Sequence, residues 1–254
     1  MMSRILVRGF RRYVRRFVSS SFNAVRVSGL EHAAALPCGS VIFFVNHPGW
    51  WDPMTAVLLT DLLPGDRRFA APMDADALRR YPVLEKLGFF PVARDSAAGA
   101  REFLRESRRV LADGTTALWI TPAGRFHDVR EHAAFQPGLS HLVDPEFGGS
   151  VLPTAFEYVF WNERRPEMLV RFGPPIDCRK LPEDRAARTL VLEEELRAQQ
   201  RVLAELAVAR DPNAFQQVLA GHGGIGGFYD LWRRAFCWLK GQSFAARHEE
   251  TSGA

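Results

Sequence analysis

A histidine and an aspartate five positions apart, His47 and Asp52, stand where the apolar run Val41-Ile42-Phe43-Phe44-Val45 breaks into Asn46-His47-Pro48-Gly49-Trp50-Trp51-Asp52-Pro53. An imidazole beside a carboxylate takes up a proton near neutral pH, which is what a general base must do. The apolar run has the length and the β-branched and aromatic content of a buried strand, so His47 is predicted at a strand exit. Strand exits are where open α/β sheets place their chemistry. Asp52 has a plainer use as well, because an aspartate before a proline that opens an apolar helix is a good N-cap. The pair alone is consistent with proton transfer or with local capping.

The elements that must position this pair follow from periodicity. Short apolar runs at 24–28, 41–46, 67–72, 89–93, 115–121, 151–159 and 167–172 are predicted as strands. Amphipathic segments at 53–62, 74–86, 96–112, 138–144 and 183–209 are predicted as helices, bounded by Pro64-Gly65, Asp113-Gly114 or Gly173-Pro174-Pro175. The alternation predicts an α/β fold with a mixed, roughly seven-stranded sheet flanked by helices. An N-terminal amphipathic helix and a small helical C-terminal appendage complete it. The domain organisation is a basic helix over 1–22, a catalytic-sized α/β unit over 23–210 and a tail over 211–254 that begins near Asp211-Pro212.

With 254 residues, 47% of them hydrophobic, the chain can bury a sizeable core. Its three cysteines, Cys38, Cys178 and Cys237, are scattered and form no CxxC pair, which predicts neither a disulfide framework nor a metal site. No apolar run approaches a membrane span, and the expected location is peripheral, on the cytoplasmic face of a membrane. The net charge of +4 is concentrated in Arg4, Arg8, Arg11, Arg12, Arg15 and Arg16, before the first acid; removing those six from 33 leaves 27 bases against 29 acids. They flank an apolar stripe of Ile5, Leu6, Phe10, Tyr13, Val14, Phe17 and Val18 at helical spacing. This pattern predicts a helix lying in a membrane interface, with docking on the chain's own domain as the alternative. No nucleic-acid module follows the basic segment, so a nucleic-acid partner is not expected.

Other chemistries lack their motifs. There is no GxSxG elbow to supply a protein nucleophile and no HExxH to hold a metal. Gly221-His222-Gly223-Gly224-Ile225-Gly226 formally contains GxGxxG, but it follows a helix-like segment and leaves too little chain for a βαβ unit, so a flexible hinge is the reading. The aromatic and basic stretch 228–239 beyond it fits a second interfacial helix, a lid, or packing on the main domain.

Four blocks in order bring a family into view. Asn46-His47 through Asp52 resembles the NHxxxxD motif of the glycerolipid acyltransferase superfamily, typified by 1-acyl-glycerol-3-phosphate acyltransferases of the PlsC type. Gly88-Phe89-Phe90-Pro91-Val92-Ala93-Arg94-Asp95 resembles the second block, whose arginine helps bind an acceptor phosphate; Arg94 takes that position. Thr121-Pro122-Ala123-Gly124 resembles the third block, usually Pro-Glu-Gly-Thr-Arg, and Val151-Leu152-Pro153-Thr154-Ala155 the fourth. The third departs from the pattern: Ala123 replaces glutamate, and Phe126 stands at the arginine position with Arg125 beside it. His127 and Asp128 add polar groups that fit a solvated loop or a site equally.

The resemblance, over roughly 24–176, implies an O-acyltransferase of phospholipid or lipid biosynthesis that uses acyl-CoA or acyl-carrier protein as co-substrate and needs no cofactor or metal. It implies His47 and Asp52 as the catalytic pair and Asn46, Arg94, Gly124, Arg125 and Pro153 as substrate-binding positions. The default acceptor is a lysophospholipid or glycerol-phosphate-type lipid. The altered third block leaves open a non-phosphate lipid alcohol, such as a glycolipid or carotenoid glycoside, and a silent lipid-binding homologue is the remaining alternative. For Trp50 and Trp51, packing beneath the loop is expected ahead of a grip on an acyl chain.

Overall fold

The computed structural model describes residues 4–93 and 96–221. Helix α1 (Arg4–Ser21) leads into strand β1 (Ala24–Ser28), the short α2 (Leu30–Ala34) and strand β2 (Val41–Val45). Then follow α3 (Asp52–Thr60), β3 (Arg68–Asp74), α4 (Ala75–Arg80), β4 (Phe89–Val92), α5 (Ala97–Leu111) and β5 (Thr116–Ile120). The chain continues through β6 (Ser150–Val159), β7 (Glu167–Phe172), the long α6 (Arg185–Ala209) and β8 (Gln216–Ala220). The eight strands form one mixed sheet in the order β4-β3-β5-β2-β6-β7-β1-β8. From β4 to β6 all neighbours are parallel, β7 runs antiparallel to β6, and β8 runs antiparallel to β1.

Both faces of the sheet are covered, and β2 shows why its sequence is apolar throughout. Val41, Phe43 and Val45 face a core that includes Val14 and Val18 of α1 and Leu58 and Leu59 of α3. Ile42 and Phe44 face a second core with Leu192 and Leu196 of α6 and the apolar side of α5. A strand buried on two faces reads as a continuous hydrophobic run rather than an alternation. Phe43 stacks on Trp119 of β5 with ring centroids 4.2 Å apart, and the Trp119 Nε1 donates to Thr60 Oγ1 at 2.9 Å. The polar end of that indole is therefore satisfied inside the core. Near the other side of the sheet, Arg26 of β1 donates from Nε to the fully buried Glu167 of β7 at 2.9 Å and lies over the Trp161 ring.

All seven predicted strands are present. The sheet has an eighth, β8, where the sequence reading placed the start of a helical appendage. Gln216-Gln217-Val218-Leu219-Ala220 is short, half polar and largely exposed, so it carries little hydrophobic signal and forms because β1 offers an open edge. The predicted helix over 74–86 is broken at Tyr81, whose extended backbone (φ −130°, ψ 69°) meets the restriction that Pro82 places on the residue before it. A 3-10 turn over Pro82–Leu87 continues instead. The predicted 138–144 helix is reduced to one 3-10 turn over Leu139–His141. The glycine that opens the second block is explained by backbone geometry: Gly88 has φ +108°, and a Cβ there would fall 2.3 Å from the Phe69 carbonyl oxygen.

Helix α1 docks one face on the domain. Val14 and Val18 are fully buried, Leu6 and Phe10 pack against the same core, and Arg11 pairs with Asp61, the residue that caps the end of α3, at 3.0 Å. The opposite face stays in solvent, with Ile5 83% and Tyr13 55% exposed among exposed Arg8, Arg12 and Arg16. No helix of the described residues is long and apolar enough to cross a membrane. Cys38 and Cys178 are free thiols, while Cys237, the Gly-rich stretch beyond Gly221 and the aromatic 228–239 segment lie outside the described residues.

Candidate active site

Three adjacent parallel strands, β5, β2 and β6, end on the same edge of the sheet, and the loops that leave them build the site. His47 lies two residues beyond β2, and Asp52 is the first residue of α3. The Pro48-to-Trp51 loop folds back so that His47 Nδ1 is hydrogen-bonded to Asp52 Oδ2. Asp52 is only 3% exposed, and its carboxylate is held by two further donors: the Gly49 amide reaches Oδ2 at 3.3 Å and the Tyr158 hydroxyl reaches Oδ1 at 2.6 Å. The helix cap is Trp51, with no side-chain capping bond, so Asp52 serves the imidazole rather than the helix amides.

A carboxylate fixed at Nδ1 makes that nitrogen the protonated one, which leaves Nε2 as the basic atom. Among the described residues Nε2 has no hydrogen-bond partner, so it can accept a substrate proton. Tyr158 sits among Phe22, Thr55 and Met168, with Thr55 Oγ1 3.0 Å from its hydroxyl. Burial first, and the Asp52 charge second, push the Tyr158 phenol well above its ordinary range. It is therefore a neutral donor throughout the working pH range. Tyr158 belongs to β6, 106 residues from Asp52, and no local sequence pattern marks it.

The loop after β5 closes over the imidazole. The His127 amide donates to the His47 carbonyl at 3.0 Å, and the Phe126 ring lies 4.2 Å from the His47 ring, tilted by 41°. Phe126 is 58% exposed, so it forms an aromatic wall at the mouth of the site. Its neighbour Arg125 points to Glu131, with which it is paired. Asp128 is held below the usual carboxylate range by its hydrogen bonds from Arg130, which turns both groups to each other in solvent. The sequence had flagged Phe126 only as the occupant of an arginine position; its contact with His47 required the loop conformation.

The other anticipated positions divide differently. Asn46 is 2% exposed, and its amide is bonded to β6: Nδ2 donates to the Phe156 carbonyl at 2.9 Å and Oδ1 accepts from the Phe156 amide at 2.8 Å. These two bonds fix the end of β2 against β6. Pro153 is buried opposite Phe44 in the centre of the sheet, at the point where the β6–β7 ladder ends and Gly173 bonds its carbonyl. That position tolerates a residue without an N–H, and it places Pro153 in the core. Gly124 adopts φ +68° and its amide donates to the Thr121 carbonyl at 3.0 Å, so this amide closes a turn. Arg94 lies outside the described residues. Trp51 packs on Phe22 and Phe17 as expected, while Trp50 stands 61% exposed at the edge of both Phe17 and Trp51.

This geometry can be set beside known proteins. In fold, the chain is similar to the 1-acyl-sn-glycerophosphate (LPA) acyltransferase PlsC from Thermotoga maritima, with TM-score 0.55, 17% identity and 79% of each chain covered. A second structure, the Legionella pneumophila ATPase DotB, aligns over 89% of this chain and 63% of its own at 13% identity, with a TM-score of only 0.31. No curated protein matches in sequence. The model of the acyltransferase family matches residues 24–157, more than half of the chain and the span that carries β1 to β5, most of β6, His47 and Asp52. The chain belongs to the acyltransferase family.

Proposed function

We propose that the protein is an O-acyltransferase that moves a fatty acyl group from a thioester of coenzyme A or acyl-carrier protein to a hydroxyl of a lipid acceptor, with His47 as general base. The observation that carries this reading is the imidazole fixed through Nδ1 by a buried carboxylate, with Nε2 left without a hydrogen-bond partner among the described residues. As the acceptor oxygen bonds to the acyl carbon, Nε2 takes the hydroxyl proton. The tetrahedral intermediate then collapses, the C–S bond breaks, and the imidazolium returns the proton to the departing thiolate. Asp52 holds the tautomer and stabilises the imidazolium between those two steps.

A lysophospholipid or glycerol-phosphate-type acceptor is the family default. A second reading, an uncharged lipid alcohol, is favoured by Phe126 against His47 and by Arg125 being engaged with Glu131. An acceptor panel with a labelled acyl-CoA separates them. Formation of a labelled lipid ester is expected from at least one acceptor, and none from any would overturn the enzymatic reading. Arg94→Ala should cost roughly 10- to 100-fold in kcat/KM if the acceptor carries phosphate, the worth of one charged hydrogen-bonded contact. An uncharged acceptor leaves that ratio unchanged.

The same proposal places the protein peripherally on the cytoplasmic face of a membrane. The exposed side of α1, with Arg8, Arg12 and Arg16 at four-residue spacing beside Ile5 and Tyr13, supports it. Each arginine near an anionic leaflet contributes about 1 kcal/mol. Replacing all three with glutamine should weaken cosedimentation with phosphatidylserine vesicles by ~10- to 100-fold, an effect that high salt reproduces. Deleting the helix would be a poorer test, because Val14 and Val18 belong to the core. Unchanged vesicle binding of the triple variant would leave α1 as a docking helix only.

A further inference from the structure

We propose that Tyr158 is a positioning residue for acyl transfer, whose hydroxyl orients Asp52 and limits how strongly Asp52 draws a proton onto His47. The inference rests on His47 acting as the base. Asp52 accepts from three directions: His47 Nδ1, the Gly49 amide and the Tyr158 hydroxyl. Of these only Tyr158 binds Oδ1, and at 2.6 Å it is a short charge-assisted bond to a buried carboxylate. It thereby stops rotation of the carboxylate, which would carry Oδ2 away from the imidazole. Thr55, one turn along α3, stands 3.0 Å from the phenol and holds it in place.

The charge effect has a definite sign. The positive end of the Tyr158 O–H dipole points at the carboxylate that also faces His47, so it offsets part of the Asp52 charge and disfavours the imidazolium. Removing the hydroxyl leaves more of that charge acting on Nδ1. The imidazole then holds a solvent proton up to a higher pH and is lost as a base earlier on acidification. The other titratable groups on the flanking elements are His127, Asp128 and Glu131 on the loop after β5, with Arg125 and Arg130 paired to those acids, and Glu157 of β6, which interacts with Arg130 and Asp128. From α1, Arg11 and Arg15 act on Asp61 at the far end of α3. Replacement of Tyr158 leaves all of these in place.

Tyr158→Phe keeps the ring that packs 5.8 Å from Phe22 and deletes only the hydroxyl. Against the acceptor identified in the panel, the acid limb of the kcat/KM profile should move up by about half a pH unit, and the plateau kcat should fall roughly 3- to 10-fold. KM for both substrates should stay within about twofold, since the Tyr158 hydroxyl is engaged with Asp52 Oδ1 and Thr55 Oγ1. A loss by one common factor at every pH, or no loss, overturns the inference. His47→Ala measured beside it keeps the two ideas apart. If that variant is inactive while Tyr158→Phe leaves the acid limb in place, the Tyr158 role alone fails. Full turnover by His47→Ala would remove the base and, with it, this inference.

Discussion

His47→Ala should reduce acyl transfer by about 10³- to 10⁴-fold, with KM for the acyl thioester nearly unchanged. A positioned base contributes about 10² to 10⁴ in rate. The upper part of that range applies because the acceptor hydroxyl is a weak nucleophile at neutral pH and, among the described residues, Asp52 is too buried and the Tyr158 phenol is held too far above its ordinary range to replace the base. The fold should survive. The Asp52 carboxylate keeps its bonds from Tyr158 and Gly49, and the backbone bond from the His127 amide to the carbonyl of residue 47 does not depend on the imidazole. A single-turnover measurement of labelled ester, beside a melting curve, checks both statements. A loss of less than tenfold in a folded variant would rule out His47 as the base.

Asp52→Asn should be nearly as damaging, by about 10³-fold or more in kcat, although it changes one atom. The carboxylate accepts at both oxygens, whereas an asparagine has a single acceptor. The Tyr158 hydroxyl, at 2.6 Å, competes for that oxygen with the Gly49 amide and with Nδ1. The amide NH2 then faces His47 and donates to Nδ1, which moves the ring proton to Nε2, the atom that must be free to act as base. Imidazolium formed in the transition state also loses its counter-charge at a site where little water can substitute. Substrate binding should be spared, so kcat falls and KM does not. An Asp52→Asn enzyme that retained more than about a tenth of wild-type kcat would show that His47 needs no orienting carboxylate.

Most of the seven predicted strands were readable as apolar runs with β-branched or aromatic residues closed by a turn signal, and β2, buried on both faces, is the clearest of them. Strand β8 was not, since two glutamines and a short span give no periodic contrast, and its stability comes from pairing with β1. The break at Tyr81 was available in principle from Pro82, but amphipathic spacing across 74–86 masked it. Helix α1 shows the limit in another way. An apolar stripe with arginines beside it specifies a face that seeks burial, yet composition does not say whether lipid or the chain's own core receives it. Val14 and Val18 went to the core, and Ile5 and Tyr13 did not.

The sequence by itself determined the pairing of His47 with Asp52. His47 and Asp52 are joined by a tight loop between a strand end and a helix start, and local preferences encoded within a dozen residues are enough to bring them together. Only the tertiary structure decided what surrounds the pair. Phe126 over the imidazole, Asn46 turned to the Phe156 backbone and Tyr158 against Asp52 all depend on β5 and β6 flanking β2 in parallel, with Phe44 opposite Pro153 and Val45 opposite Thr154. A slip of one residue in that register would send the Tyr158 side chain to the other face of the sheet and leave Oδ1 of Asp52 without its donor. Strand order and register are settled by which faces can be buried together over the whole domain, and no window of the sequence contains that information.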